Sequence, residues 1–74
     1  MKHRSYLIKD TTLAFSDDEG KKTLLTVPVG SVVTVERPAA GSAGMFDVLW
    51  NGRRVLMFAR DLHMRGERIP RHAA

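Results

Sequence analysis

The sequence predicts an all-β domain, a small barrel of five or six short strands with one short helical turn near the C-terminus. Asn51 and Gly52 lie between two apolar runs, and both residues tolerate the positive φ that a two-residue type I′ hairpin requires. Three of the five residues at 32–36 are valine, which favours a strand. No window keeps an apolar helical period over ten or more residues, and several short strands separated by turns are typical of a small barrel.

The first half of the chain has the pattern of three extended segments. Residues 5–8 predict the first strand, and residues 11–15 predict a second short extended piece. The polar residues 17–22, in which an acidic run ends at a glycine, predict a loop tip. Residues 23–27 resume the extended pattern, and 28–31 predict an edge or a turn because the proline cannot donate to a strand ladder.

The second half of the chain alternates loops with short apolar runs. Small residues dominate 37–44, which is typical of a flexible loop. The other predicted elements are the hairpin arms at 46–50 and 53–58, a helical turn at 59–62, a last strand within 63–69 and a frayed tail at 70–74.

The chain has 74 residues, so we expect one domain over residues 1–74, with the barrel at about 5–69 and the tail at 70–74. A chain of this length buries only about 60% of its unfolded surface, which predicts modest stability. It has no cysteine, which fits a reducing compartment and favours a cytoplasmic location. No apolar run of signal-peptide length follows the basic N-terminus, and none approaches the roughly 20 apolar residues that span a membrane.

The charge is basic and uneven along the chain. Twelve Lys and Arg residues face eight Asp and Glu residues, for a formal net charge of +4. From Met45 onward all the basic residues except histidine are arginines, and they outnumber the acidic ones. A basic half of a domain can attract nucleic acid or another polyanion. Alternatively, the charge only keeps a small domain soluble.

Trp50 beside Arg53 and Arg54 is a candidate nucleic-acid site. An aromatic ring next to guanidinium groups could stack a base and hold phosphates. Arg60 and Arg65 would extend such a site. Alternatively, Trp50 caps the barrel end while the arginines face water.

A second candidate site is apolar. The predicted core consists of Tyr6, Ile8, Leu25, Val33, Val35, Phe46, Val48, Val55, Met57 and Leu62. Strand alternation then turns Leu49, Leu56 and Phe58 outward, where a strand of a small barrel is normally polar. These three side chains need a cover, which could be the segment at 9–23, a C-terminal segment or another chain. They are the candidate residues for contact with a protein.

No pattern in the sequence predicts catalysis. His3, His63 and His72 have no metal-ligand spacing, so no metal is expected. The serines lack a nucleophile-elbow context. The glycine-rich segment 41–44 lacks the lysine of a phosphate-binding loop, and the carboxylates at 17–19 are typical of a solvated loop tip. We therefore expect neither an enzyme nor a cofactor.

This order of parts resembles the Src-homology-3-like barrel. The resemblance covers residues 5–69 and implies that Tyr6–Ile8 opens the barrel. It further implies a long loop at 9–23, a diverging turn and second strand at 27–35, a distal hairpin at 51–52 and the helical turn at 59–62. Fold resemblance of this kind implies little about function.

The eukaryotic peptide-binding members of that fold differ from this chain. They carry adjacent tryptophans at the start of the third strand, and a proline and a tyrosine around the helical turn, which form a groove for Pro-rich peptides. Here Trp50 ends its strand, and 59–62 contains neither proline nor tyrosine. Only the acidic segment 17–19 is similar to their specificity loop. The chain is more similar to bacterial domains of this fold and to small ribosomal or transcription-associated barrels.

From these observations we expect a non-enzymatic cytoplasmic binding module that contacts another protein or its own copy. The alternative is nucleic-acid binding through Trp50, Arg53, Arg54 and the other C-terminal arginines. No membrane partner is expected.

Overall fold

One antiparallel sheet holds the seven strands that the described residues form. The computed structural model describes residues 4–41 and 43–70, without the side chain of Asp18. The elements are β1 Arg4–Ile8, β2 Thr12–Asp18, β3 Lys21–Val27, β4 Val32–Pro38, β5 Met45–Trp50, β6 Arg53–Phe58, α1 Ala59–Arg65 and β7 Gly66–Ile69. The strand order across the sheet is β3-β2-β6-β5-β4-β1-β7. The all-β prediction is confirmed.

The prediction of a closed barrel with five or six strands is wrong. The sheet has seven strands and does not close, so β3 and β7 are its two edges. The resemblance implied a long loop at 9–23, whereas the residue pattern predicts extended segments at 11–15 and 23–27, and strands β2 and β3 confirm the latter prediction. Residues 12–27 instead form a β2–β3 hairpin whose register runs unbroken from Thr12↔Val27 to Asp18↔Lys21. This hairpin extends the sheet beyond β6 through the pair Phe15↔Leu56.

Local chemistry explains the β2–β3 hairpin. Small or polar side chains (Thr12, Ala14 and Ser16) alternate with larger outward ones, and all three are buried. Glu19 and Gly20 have φ of 54° and 81°, as a two-residue type I′ turn requires. The acidic run at 17–19 predicts a loop tip, but two residues are enough to reverse the chain here.

The Asn51-Gly52 turn is confirmed. Asn51 and Gly52 have φ of 53° and 76°, and Trp50↔Arg53 is the strand pair next to the turn. The turn at 28–31 is confirmed as well, since the Ser31 backbone N–H donates to the Pro28 carbonyl at 3.2 Å.

We expect Gly52→Val to lower the free energy of unfolding by about 1 to 3 kcal/mol, because a β-branched residue resists positive φ. Open space surrounds the Cβ position of residue 52, so the effect would come from the backbone and not from a steric clash. Urea unfolding followed by circular dichroism measures it. Gly52→Asn is the control, because Asn tolerates this conformation and should cost less. Equal losses in both variants would contradict this explanation.

The core lies on one face of the sheet. Eight of the ten predicted core residues are buried, and Leu25 and Phe46 are partly buried against them. Ala14, Val27 and part of Trp50 complete the core, together with the polar Thr12 and Ser16. Inward-facing residues therefore come from β1 to β6, and α1 contributes Leu62 to the same core.

Helix α1 is longer than the predicted turn at 59–62 and ends at Arg65, and the last strand, predicted within 63–69, is Gly66–Ile69. The helix packs against β1, β2, β6 and β7. Pro70 follows the last strand, and the remainder of the predicted tail lies outside the described residues. None of the helices in the described part of the chain has the length and apolar character needed to cross a membrane.

Candidate functional site

An apolar row crosses the outer face of the sheet at the β2–β3 hairpin. Leu24 of β3 pairs with Phe15 of β2, which pairs with Leu56 of β6. These side chains share the outer face because the intervening residues of each strand point to the core. Leu24 is 56% exposed, and Phe15 and Leu56 are half-buried. An antiparallel sheet normally turns polar side chains to water on this face, so the row is unusual.

Beside this row, four apolar side chains form a small concave site. Phe15, Met45, Leu56 and Phe58 line a cavity of about 190 Å³, and Lys22 completes its lining. We call these five residues the outer groove. The rings of Phe15 and Phe58 meet edge to face, with centroids 6.0 Å apart, which fixes one wall. Phe58 nevertheless remains 43% exposed.

The outer groove continues into a wider, more polar cavity of about 590 Å³. The two cavities share Phe15, Lys22 and Leu56, and the wider one reaches the β4–β5 loop at Ala39, Ala40 and Gly41. The combined cleft thus runs between the β2–β3 hairpin and that loop. An extended polypeptide could lie along such a cleft with one side chain in the apolar part.

Some of the charged side chains around the cleft form ion pairs, and others do not. The Arg37 guanidinium donates to the Asp47 carboxylate at 3.1 Å, and the Arg54 guanidinium donates to the Glu36 carboxylate at 2.9 Å. Lys22 lies opposite Asp17 in the strand register. None of the described side chains forms an ion pair with Lys22. Lys22 thus contributes a positive charge to the lining of the apolar cavity.

The three predicted protein-contact residues do not lie together. Leu56 and Phe58 line the outer groove. Leu49 is also on the outer face and 39% exposed, but it pairs with Thr34 and Arg54. The Arg54–Glu36 ion pair lies beside Leu49, whereas Leu49 does not contribute to the groove lining. The cover expected for these side chains comes in part from Phe15 on the hairpin.

The predicted nucleic-acid residues are spread over two faces of the sheet. Trp50 packs against the core, and Arg53 points to the same face, where its guanidinium donates to the Ser16 hydroxyl at 3.1 Å. Arg54 points to the opposite face and is held by Glu36. The sheet therefore separates two arginines that are adjacent in sequence.

The two remaining candidate arginines lie on α1, at the far end of β6 from the Asn51-Gly52 turn. The six residues of that strand span roughly 17–20 Å. Arg60 is exposed, and the Arg65 guanidinium donates to the Thr11 carbonyl at 3.3 Å. The five predicted residues therefore do not form one continuous basic surface.

The histidines do not form a metal site in the described residues. His63 is exposed, and its ring meets the Tyr6 ring at 6.2 Å between centroids. His3 and His72 lie outside the described residues, as does Ser42 of the glycine-rich loop. Within the described ranges, no three His, Asp or Glu side chains lie close enough together to hold a metal ion.

Sequence reasoning missed Phe15, Met45 and Lys22 as site residues. The available signal was the alternation in β2, where Thr12, Ala14 and Ser16 are small and Phe15 is large. Since these small residues take the inward positions of β2, alternation leaves Phe15 facing outward. Met45 joins the site because it is paired with Phe58, and the register of the β5–β6 hairpin sets that pairing.

Comparisons with known proteins do not place the chain in a family. No family model matches it, and searches of curated proteins and of solved structures found no significant match.

Proposed function

We propose that this protein is a non-enzymatic binding module that contacts another protein through the outer groove. The observation that supports this most directly is the apolar cavity on the solvent side of the sheet, lined by Phe15, Met45, Leu56 and Phe58. Isolated apolar side chains on a surface are normal, but a contiguous concave group is typical of an interaction site. A half-exposed phenylalanine in such a site is the kind of aromatic contact that dominates binding energy.

The size and charge of the site indicate the chemistry of the partner. A cavity of about 190 Å³ is smaller than the roughly 300–1,000 Å³ of pockets for drug-sized ligands, and it fits a single large apolar side chain. Lys22 at its edge favours an acidic residue next to that side chain. The net charge of +4 further favours approach of an acidic partner. We therefore propose an extended acidic segment with one apolar anchor residue.

The order of elements supports a relationship to the Src-homology-3-like fold, which we also propose. The chain forms, in this order, a first strand, a hairpin at 12–27, a turn at 28–31, a tight hairpin turn at 51–52 and a helix before the last strand. The sheet is open, however, so the relationship concerns element order and not barrel closure.

We expect Leu56→Lys to abolish binding of an acidic, apolar peptide, because it places an ammonium group on the floor of the outer groove. The probe is a peptide selected from a random displayed library against the wild-type domain. Its affinity is then measured by fluorescence anisotropy. Selected peptides should carry one large apolar residue beside Asp or Glu, and the Leu56→Lys variant should bind them at least tenfold more weakly.

Leu49→Lys is the matched control for this experiment. It introduces the same charge on the same face but outside the groove lining, so peptide affinity should stay within about twofold of wild type. Equal weakening by both substitutions would indicate a general charge effect. Failure of the wild-type domain to enrich any peptide with an apolar anchor would refute the proposed function.

The nucleic-acid alternative has a direct test as well. Because the sheet separates Arg53 from Arg54, we expect no measurable affinity for a single-stranded oligonucleotide at physiological salt. Measurable affinity with a steep salt dependence, lost on Arg53→Ala together with Arg54→Ala, would instead favour that function.

A further inference from the structure

We propose that β3, at the open edge of the sheet, pairs antiparallel with β3 of a second copy of this chain. The inference is separate from peptide binding in the outer groove, because it depends on backbone groups of the edge strand. It concerns the N–H and C=O groups of Lys22, Leu24 and Thr26, which we call the β3 edge.

The hairpin register shows which backbone groups face the open edge. Since Glu19 and Gly20 form a two-residue turn, Asp18 and Lys21 are a hydrogen-bonded pair, and such pairs alternate along the ladder. The groups of Lys22, Leu24 and Thr26 therefore point away from β2. Among the described residues, no backbone hydrogen bond outside the sheet ladders uses these three.

The usual protections of an edge strand are largely absent from β3. Edge strands are normally short, bulged, interrupted by proline or charged along their length. Strand β3 has seven residues, an unbroken register with β2 and no internal proline. Its charges are confined to Lys21 and Lys22 at one end. The opposite edge, β7, has only four residues and is followed by Pro70.

The side chains of β3 are complementary to themselves about Leu24. A two-fold axis through this residue places Leu24 opposite the partner's Leu24, and Lys22 opposite the partner's Thr26. Each of the three edge residues then exchanges both backbone hydrogen bonds with a partner. No like charges face each other, which would be destabilising. Shifting the register by two residues would leave only two such pairs.

Apolar contact favours the same arrangement. Leu24 is 56% exposed and lies next to Phe15 on the outer face. Pairing about Leu24 would join the apolar rows of the two copies into one continuous row, which buries area that a single chain exposes. Lys22 meets only the partner's Thr26, so neither copy needs to supply an acidic group. These features favour a second copy over an unrelated strand.

Sedimentation equilibrium over a concentration series from micromolar to millimolar tests the pairing. The wild-type mass should rise toward twice that of one chain. Thr26→Pro removes a backbone N–H that points away from β2 and that only the pairing between copies would use. Since proline is tolerated on an edge strand, the variant should fold but stay monomeric. Leu24→Lys places two ammonium groups opposite each other on the axis and should also stay monomeric.

Two controls separate this pairing from the outer groove. Leu13→Lys adds a charge to a residue that is 44% exposed on the same face but lies on β2, one strand in from the edge, so the mass should still double. Leu56→Lys should also dimerise, even though it loses peptide binding. If Leu56→Lys is monomeric while Thr26→Pro dimerises, the copies meet through the groove and the proposal is wrong.

Amide hydrogen exchange gives a second readout that needs no substitution. The amides of Leu24 and Thr26 should exchange several-fold more slowly as the wild-type concentration rises. A wild-type protein that stays monomeric at millimolar concentration, with unchanged exchange at these amides, overturns the proposal. This readout also decides the matter if Thr26→Pro fails to fold.

Discussion

Leu62→Ala is expected to lower the free energy of unfolding by about 2 to 5 kcal/mol, enough to unfold a large fraction of a domain of this size. Leu62 is fully buried and is the only buried residue of α1. The helix holds the end of the sheet through this side chain, packing against β1, β2, β6 and β7. Removing it leaves a cavity between the helix and the core of the sheet, which a small core is poorly able to close.

Urea unfolding followed by Trp50 fluorescence measures this effect, since the chain has one tryptophan and it packs against the core. Met64→Ala is the matched control, because Met64 lies on the same helix and is 71% exposed. The control should change stability by less than about 0.5 kcal/mol. Leu62→Met keeps the volume and should cost less than about 1.5 kcal/mol. A Leu62→Ala midpoint equal to that of Met64→Ala would mean that the helix does not anchor the sheet.

Much of the strand pattern could be predicted from sequence because short-range chemistry sets it. Asn51-Gly52 can form few turns other than the one observed, and the valines at 32–35 have a strong strand preference. Inward and outward positions then follow from alternation, which is why eight of ten predicted core residues are buried. Leu25 is partly exposed because β3 is an edge strand with no neighbour beyond it.

Closure of the sheet could not be predicted in the same way. It depends on whether β3 reaches a partner strand after the β2–β3 hairpin, and that is a long-range question. The residue pattern predicts extended segments at 11–15 and 23–27, but the resemblance implies one long loop at 9–23, so the pairing of the two segments as a hairpin at the edge of the sheet is not predicted. The charged tip occupies only the turn and its flanks.

The candidate site also depends on long-range strand pairing, so only part of it could be predicted from the sequence. Leu56 and Phe58 could be identified as outward apolar residues of β6, but the groove also needs Phe15 and Lys22 from a hairpin that pairs with β6 at Phe15↔Leu56. Trp50, Arg53 and Arg54 lie within five residues of one another, yet strand alternation turns two of them to one face and one to the other. Proximity along a strand is therefore a poor guide to a shared surface.

The second large stability effect is expected at the end of the helix. Gly66→Ala should lower the free energy of unfolding by about 3 kcal/mol, at the upper end of the usual cost of overpacking. Gly66 does not have positive φ; its φ is −122°, so the backbone conformation suits any residue. The constraint is space. A Cβ at this position would lie 2.8 Å from the Leu62 carbonyl oxygen, and 3.5 Å from both Ile8 and Tyr6.

The close neighbour is a backbone atom, so no side-chain rotation can relieve the contact. The Gly66 N–H also donates to that same Leu62 carbonyl, which ends the helix. Moving the carbonyl away would weaken this hydrogen bond and shift Leu62 in the core, so two costs arise from one methyl group. The register of β7 with β1, which pairs Ile8 with Gly66, opposes any compensating shift of the strand.

Arg68→Ala is the control for this effect, because Arg68 is an exposed residue of the same strand and should change stability by less than about 0.5 kcal/mol. Urea midpoints of both variants, together with the exchange rate of the residue 66 amide, distinguish the possible results. We expect Gly66→Ala to lower the midpoint and to speed exchange at that amide. A midpoint equal to wild type would show that α1 and β7 can separate by several tenths of an ångström at no cost. In that case the helix would be less firmly joined to the sheet than the burial of Leu62 requires.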